Sequence, residues 1–390
     1  MEYKTIKELC DLVVDCPHST PTWTEHGKIV IRNNNIKNGR IDFTSPSFTD
    51  DEHFAQRIKR AVPKAGDIVI TREAPMGEVG MIPEGIKCCL GQRMVLLRAN
   101  ERICDKHYLL YGLQSQFVQH QISWSEGTGT TVSNLRIPHL EQIRVPYVPL
   151  DQQKKISSVL YALGDKIENN RKLNDNLFAQ MQALYAAWFI DYTPFGGEKP
   201  LSWQKTSIYI IADIIYGAPF SSKQFNTDGK GIPIIRIRDL KEQKFVTYTT
   251  EKHPKGYLLQ AGDIVVGMDG EFVPYIWGSD EAWLNQRVCV FKNKRSKGKA
   301  FLYFTIKPLL YAIQQTQVAT TVIHIGKKDF DAFEITLPDS KVLDAFDAIT
   351  TPMVEKIVEN RFEIKRLELL RDALLPKLMS GEIDVSGIQL

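Results

Sequence analysis

Residues 65–69 read "AGDIV", and residues 261–265 read "AGDIV" again. Further matches follow in the same order along the chain. "GQRMVLLR" at 91–98 answers "NQRVCVFK" at 285–292, "TTV" at 130–132 answers "TTV" at 320–322, and "KIENNR" at 166–171 answers "KIVENR" at 356–361. The spacings are 196, 194, 190 and 190 residues, drifting as loops lengthen and shorten. Collinearity, more than any one match, marks an internal duplication. With two copies it is a pseudo-dimer in one chain, not a solenoid.

Both copies have one pattern. Short β-like runs come first, "GKIVIRNNNIKNGRIDF" and "GIPIIRIRDLKEQKFVTY". "AGD" then sets a turn that launches a Val/Ile strand. A Gly-rich hairpin ("EAPMGEVG", "GMDGEF"), the Gln-Arg strand, a helical patch and a last strand ending in Pro follow ("IRVPYVP", "FEITLP"). After each copy comes a long helix. From 151 to 189, positions alternating four and three apart are Ile156, Leu160, Leu163, Ile167, Asn170, Asn174, Leu177, Met181, Leu184 and Trp188. Adding 190 gives a second series that includes Phe346, Ile357, Asn360, Ile364, Leu367 and Leu378. That spacing is a coiled-coil seam. An antiparallel pairing of the helices brings Asn174 opposite Asn360, a buried amide layer that fixes register. "SGE" at 380–382 should end the second helix. The predicted segments are 1–150, 151–192, 193–340 and 341–390.

A chain of 390 residues is long for one domain, and two to three compact units are expected. Hydrophobic content of 43% and charged content of 24% suit a soluble globular protein. The net charge of +3 neither demands nor excludes nucleic acid. Cysteines 10, 16, 88, 89, 104 and 289 form no Cys-x-x-Cys pair, and read as idle thiols of a reducing cytoplasm. The charged start "MEYKTIKELCD" lacks an apolar signal region, and the longest apolar run, "ALYAAWFI" at 183–190, is too short to span a bilayer. The expected location is cytoplasmic, without membrane.

The residue patterns of common catalysts are missing. "GDIVVGMD" at 262–269 has the glycines of a phosphate loop, but Met268 and Asp269 replace its Lys and Ser/Thr, so a hairpin turn is the better reading. "PD" at 338–339 with "EIK" at 363–365 resembles a loose nuclease pattern, yet Ile364 lies on the seam. The eight histidines form no metal pair, and no Gly-rich cofactor loop or Asn-Pro-Pro-Tyr-type motif occurs. Binding chemistry is better represented. "RNNNIKNGR" at 32–40 offers Arg32, Asn33, Asn34, Asn35 and Lys37, and "RIRDLK" at 236–241 offers Arg236, Arg238 and Lys241. Arg and Asn are the usual readers of guanine and adenine edges, and Lys holds phosphate. Arg72, Arg93, Lys223 and Arg287 complete this candidate set. "KNKRSKGK" at 292–299 is an exposed basic loop able to meet phosphate. Trp23 and Phe220 read as small core anchors rather than base-stackers.

The ordered set resembles the specificity (S) subunit of type I restriction–modification systems over essentially the whole chain. It is carried by "PKAGDIVITREAPMGEVG" with "CLGQRMVLLR", "QAGDIVVGMDGEF" with "LNQRVCVF", "VPLDQQKKISSVL", "KIENNRKLNDNL" and "LLRDALLPKLMSGEI". The start of the second helix, "PDSKVLDAF", departs from the usual "PLxEQ"-like form. The resemblance implies an α+β fold: two pseudo-repeated mixed α/β target-recognition domains separated by two long antiparallel coiled-coil helices. It implies a non-catalytic subunit whose two domains read the halves of a gapped, asymmetric double-stranded DNA target. Two modification (M) subunits with S-adenosylmethionine would methylate adenine, and restriction (R) subunits with ATP and Mg would cleave; no cofactor is expected in this chain. Tyr161, Phe178, Tyr185 and Phe189 are the helix aromatics free to dock M subunits. Alternatives are a methylation-only or type II-like system, an enzyme in its own right, and a scaffold without nucleic acid.

Overall fold

A computed structural model describes residues 2–37, 39–124, 134–316 and 323–388. The two "TTV" stretches lie outside the described residues. The fold divides into two compact units, Met1–Asp165 with Leu367–Leu390, and Lys166–Arg366.

In the first unit an antiparallel sheet runs in the order Cys10–Asp15, Met94–Ala99, Ile68–Thr71, Val79–Met81. The strand Ile68–Thr71 is buried on both faces, which is why it begins with an unbroken Val/Ile run, Ile68 to Ile70, instead of an alternation. One face packs on the helices Lys106–Gln114 and Gln116–Trp124 through Leu109, Leu113 and Val118. The other meets a small sheet of Ser47–Thr49, Lys28–Ile31 and Cys88–Leu90. The second unit repeats the plan with Ala212–Tyr216, Val288–Asn293, Ile264–Gly267 and Pro274–Ile276, and with the helix Lys299–Thr316. Each copy is closed by its ends. Glu2–Thr5 pairs antiparallel with Arg144–Tyr147, and Gln204–Ser207 with Glu334–Leu337, just before each long helix begins.

The repeated "AGD" is the joint of each sheet. Gly66 and Gly262 both hold φ +87°, the left-handed region where a side chain is strained. Gly66 N–H donates to Ile82 O (2.9 Å) and Ile82 N–H returns to Asp67 O (2.9 Å); Gly262 and Trp277 do the same with Asp263 (2.6 and 2.7 Å). The buried carboxylate of Asp67 accepts from Lys64 N (2.8 Å) and from Nε and Nη2 of Arg98 (both 2.7 Å). Asp263 accepts from Gln260 N (2.9 Å), Tyr257 Oη (2.8 Å) and Lys292 Nζ (2.9 Å). Hydrogen bonds with Asp67 raise Arg98 above the ordinary guanidinium range. Burial alone would lower Lys292, but its bonds to Tyr257 and Asp263 carry it upward. One carboxylate thus ties a turn, a hairpin and the far end of the central strand.

The long helices are Leu150–Phe189 and Ser340–Met379, and Gly381 at φ +71° follows the second. In the second unit they run antiparallel. Asn170 Nδ2 donates to Glu363 Oε2 (2.8 Å), and Asn360 Nδ2 donates to Asn174 Oδ1 (2.8 Å), so the amides meet in one layer as the seam spacing requires. Ile357 is fully buried there, and Leu177 packs partly against the same core. In the first unit Ile156 and Leu160 bury against Tyr108, Leu378, Met379 and Val385. Gln153, fully buried, fastens that helix start by donating to Ile103 O and Val148 O. At the matching position of the second helix Leu343 is apolar, and Arg295 takes over the fastening through Asp344 (2.7 Å) and Asp347 (2.9 Å). This is the physical content of the departure at "PDSKVLDAF".

The turn anchors generate a prediction. Arg98→Met leaves Asp67 buried without a counter-charge and should cost about 3 kcal/mol. Lys292→Met should cost roughly half as much, because the Tyr257 hydroxyl still donates to Asp263. Urea unfolding of the two variants beside the parent checks the order; equal losses would refute the separate role of Tyr257.

Candidate nucleic-acid interface

The same polar cluster is built on the rim of each copy. In the first, the strand Lys28–Ile31 runs into a 3-10 turn, Asn33–Asn35, where Arg32 N–H donates to Asn35 Oδ1 (2.9 Å). The Arg32 guanidinium lies over the ring of Trp23 at 5.1 Å. Asn33 Nδ2 donates to the carbonyl of Glu73 (2.7 Å). Arg93, just ahead of the central strand, holds φ +65°, and its carbonyl accepts from Arg72 N (2.8 Å). Its Nε sits 3.1 Å from Glu73 Oε2, with 57% of the Arg93 side chain exposed against 19% for Glu73. Asn134 Nδ2 donates to Oε1 of the same carboxylate (2.7 Å).

The second copy reproduces most of this, except that Ile237 stands in the place of Asn33. Arg236 N–H donates to Asp239 Oδ2 (3.0 Å) at the turn Ile237–Asp239, and its guanidinium lies 4.8 Å from the Phe225 ring. Arg287 holds φ +70°, and its carbonyl accepts from Met268 N (2.8 Å). Its Nη1 is 3.8 Å from Asp269 Oδ1, with 55% of the Arg287 side chain exposed against 28% for Asp269. His324 stands where Asn134 stood, its Nδ1 2.7 Å from Asp269 Oδ1 and 3.1 Å from Nη1 of Arg287. An arginine in the left-handed region is uncommon; two at equivalent places are a retained feature.

The other sequence candidates divide. Arg32, Asn34, Lys37, Lys223, Arg238 and Lys241 are exposed, while Arg236 is half-buried. Asn35 is buried as the cap of its turn, and Asn33 is turned inward on Glu73. Arg72 is nearly buried, its guanidinium engaged by Asp15 (2.9 Å), Leu135 O (2.9 Å) and Asn134 Oδ1 (3.2 Å), which makes it a fold element in this structure. The basic loop at 292–299 is likewise engaged within its unit, through Lys292 on Asp263, Lys294 on Tyr209 O and Arg295 on the helix. Phe220 is a core anchor, but Trp23 is 45% exposed beneath Arg32. Of the docking aromatics, Phe178, Tyr185 and Phe189 pack on Tyr303, Phe304 and Phe301 of their own unit. Tyr161 alone of the four is exposed. Sequence reading missed Glu73, Asp269, Asn134 and His324, although aligning the two copies sets each acid the same distance after "AGDIV".

All six cysteines are free, and burial pushes Cys89 up to about 11 and Cys88 and Cys104 up to about 12. These thiols stay protonated near neutral pH and are poor nucleophiles. Among the described residues no helix is long and apolar enough to cross a membrane.

A family model of the type I restriction modification DNA specificity domain matches residues 1–178 and 200–359. Over 354 residues the chain is 26% identical to the type I restriction enzyme MjaIX specificity subunit of Methanocaldococcus jannaschii, covering 84% of this chain and 80% of that one. A match of 138 residues to the type I restriction enzyme EcoBI specificity subunit of Escherichia coli is 37% identical and covers 35% and 29%. The crystal structure of a type I restriction-modification system S subunit from M. genitalium shares the fold, with a TM-score of 0.57 at 18% identity over 97% of this chain and 95% of its own.

The Arg72 pair can be tested against its own duplicate. Strand register puts Tyr216 where Asp15 stands, and Met268 occupies the place of Arg72. Arg72→Met alone should destabilise by about 3 kcal/mol, since the Asp15 carboxylate loses the guanidinium and is left with His18 among the described residues. Adding Asp15→Tyr should recover most of that loss. Thermal unfolding of both variants decides it, and a double variant no better than the single would refute the exchange.

Proposed function

This chain belongs to the type I restriction–modification DNA specificity family, and we propose that it is the non-catalytic DNA-reading subunit of such a complex. Each copy reads one half of a gapped, asymmetric duplex target, with 1–150 and 193–340 as the reading segments and 151–192 and 341–390 as the helical spacers. The observation that carries this reading is the pair of rims. One scaffold with the same two arginines is presented twice, with different polar neighbours (Asn134 and His324) and different loops around it. A duplicated reader for two unequal half-sites requires that combination of shared frame and divergent edge. Arg32, Asn34, Lys37 and Arg93 serve the first half; Lys223, Arg238, Lys241 and Arg287 serve the second.

Two M subunits, carrying S-adenosylmethionine and methylating adenine, dock on the helices. Exposed apolar side chains support this: Tyr161, Leu369 and Leu370 in the first unit, and Leu173 and Ile349 in the second. R subunits add ATP- and Mg-dependent cleavage, and the system works in the cytoplasm. The paired helices set the length of the unspecified gap.

Methylation mapping in cells expressing the chain with its M subunit tests the reading. Replacing 193–340 by the matching segment of a relative should change one half of the methylated motif and leave the other; a change in both halves would refute two independent readers. A second variant carries one extra seven-residue repeat in each long helix, which preserves the seam and adds about 10 Å to each. At about 3.4 Å per base pair, the gap should grow by about three base pairs with both half-sites unchanged. A folded, active variant that keeps its original gap would show that the helices do not measure it.

A further inference from the structure

We infer that Arg93 and Arg287 are equivalent clamps for the DNA backbone phosphate, each held in reserve by an internal carboxylate. The inference rests on the DNA-reading role proposed above and assigns the chemistry of one site in each copy. Three observations converge on it. Two copies that read different half-sites share this arginine, and what two unequal sequences have in common is the phosphate backbone, not the base edges. Both arginine side chains are more than half exposed, although each has a carboxylate 3.1 or 3.8 Å away. Both backbones are held at φ +65° and +70° by the carbonyl's bond to Arg72 N or Met268 N, a strained conformation that glycine would adopt freely.

The carboxylates Glu73 and Asp269 complete the device. They are kept in place by Asn134 and His324, so their charge does not move away when DNA approaches. Each arginine therefore exchanges a carboxylate for a phosphate on binding, and the bared carboxylate repels backbone that is not aligned to take the guanidinium. Arginine suits this exchange because its planar fork matches both anions.

The strained backbone supplies a variant that separates contact from folding. Arg93→Gly and Arg287→Gly remove the guanidinium at positions that favour glycine, and the exposed ion pair that is lost contributes little to stability. Both should melt no earlier than the parent. Duplex binding by the full chain with its M subunits, titrated over sodium chloride, should show the slope of log K against log salt reduced by about 0.9 for each variant. Affinity should fall on the order of tenfold at 0.1 M salt, alike for target and unrelated duplexes, with the methylated motif unchanged. Glu73→Gln and Asp269→Asn should do the reverse and tighten binding to unrelated duplex. If the parent complex shows no salt-dependent duplex binding, the DNA-reading role itself fails. If the parent binds and the glycine variants match it in affinity and slope, the clamp fails. A single relaxed base position in the motif, with the slope intact, would make these arginines base readers and overturn the assignment.

Discussion

The constraint on which both units depend is a carboxylate that cannot reach water. Asp67 and Asp263 are buried at the turn that starts the second strand of each central sheet, and their charge is tolerable only while their donors stay in place. The donors come from three directions: a backbone amide three residues earlier, the end of the central strand, and in the second copy a tyrosine hydroxyl. The left-handed glycine beside each Asp lets the hairpin strand close on the same turn. The turn, the hairpin and the central strand form together or not at all. The five-residue identity that reveals the duplication is therefore a statement about burial, not about ligand.

Around that fixed joint the two copies have diverged in ways the physics permits. The first holds the base of its rim with a nearly buried ion pair, Arg72 and Asp15; the second puts Met268 into the apolar core at the same place. Such replacement is tolerated because a buried pair often contributes little more than a well-packed apolar substitute. The helix starts differ similarly, with a buried amide at Gln153 against an aspartate pair on Arg295. The rim arginines, their left-handed backbones and their carboxylates have not been exchanged. Beside the buried joint, the paired arginines Arg93 and Arg287 stay constant although they face solvent, while several residues that vary face the core, which packing alone would not select.

Much of the fold was legible because its signals are periodic. The four-three alternation located both helices and paired Asn174 with Asn360, and Val/Ile runs marked the central strands. The rim was less legible. A basic residue following a strand reads as surface, so Arg72 reads as a DNA contact and the loop at 292–299 as an exposed loop able to meet phosphate, whereas their partners, Asp15, Asp263 and Asp347, are distant in sequence. The aromatics at 178, 185 and 189 sit off the seam, and nothing local says that a second apolar face on the helix is covered by Phe301, Tyr303 and Phe304. Glu73 and Asp269 went unread because an acid is not expected at a site for a polyanion.

The first unit holds residues from both ends of the chain. Leu378, Met379 and Val385 bury against Tyr108, Ile156 and Leu160, so this core has no complete form until its last segment exists. During synthesis, the second unit's Lys166–Arg366 emerges before Leu367–Leu390 does. At about 5–20 residues per second, Ile156 and Leu160 have Tyr108 beside them but lack Leu378, Met379 and Val385 for tens of seconds. The central sheet of the first unit, with its clusters between Ile6 and Tyr147, is made first, and this one cluster is completed only after the second unit's residues have been made.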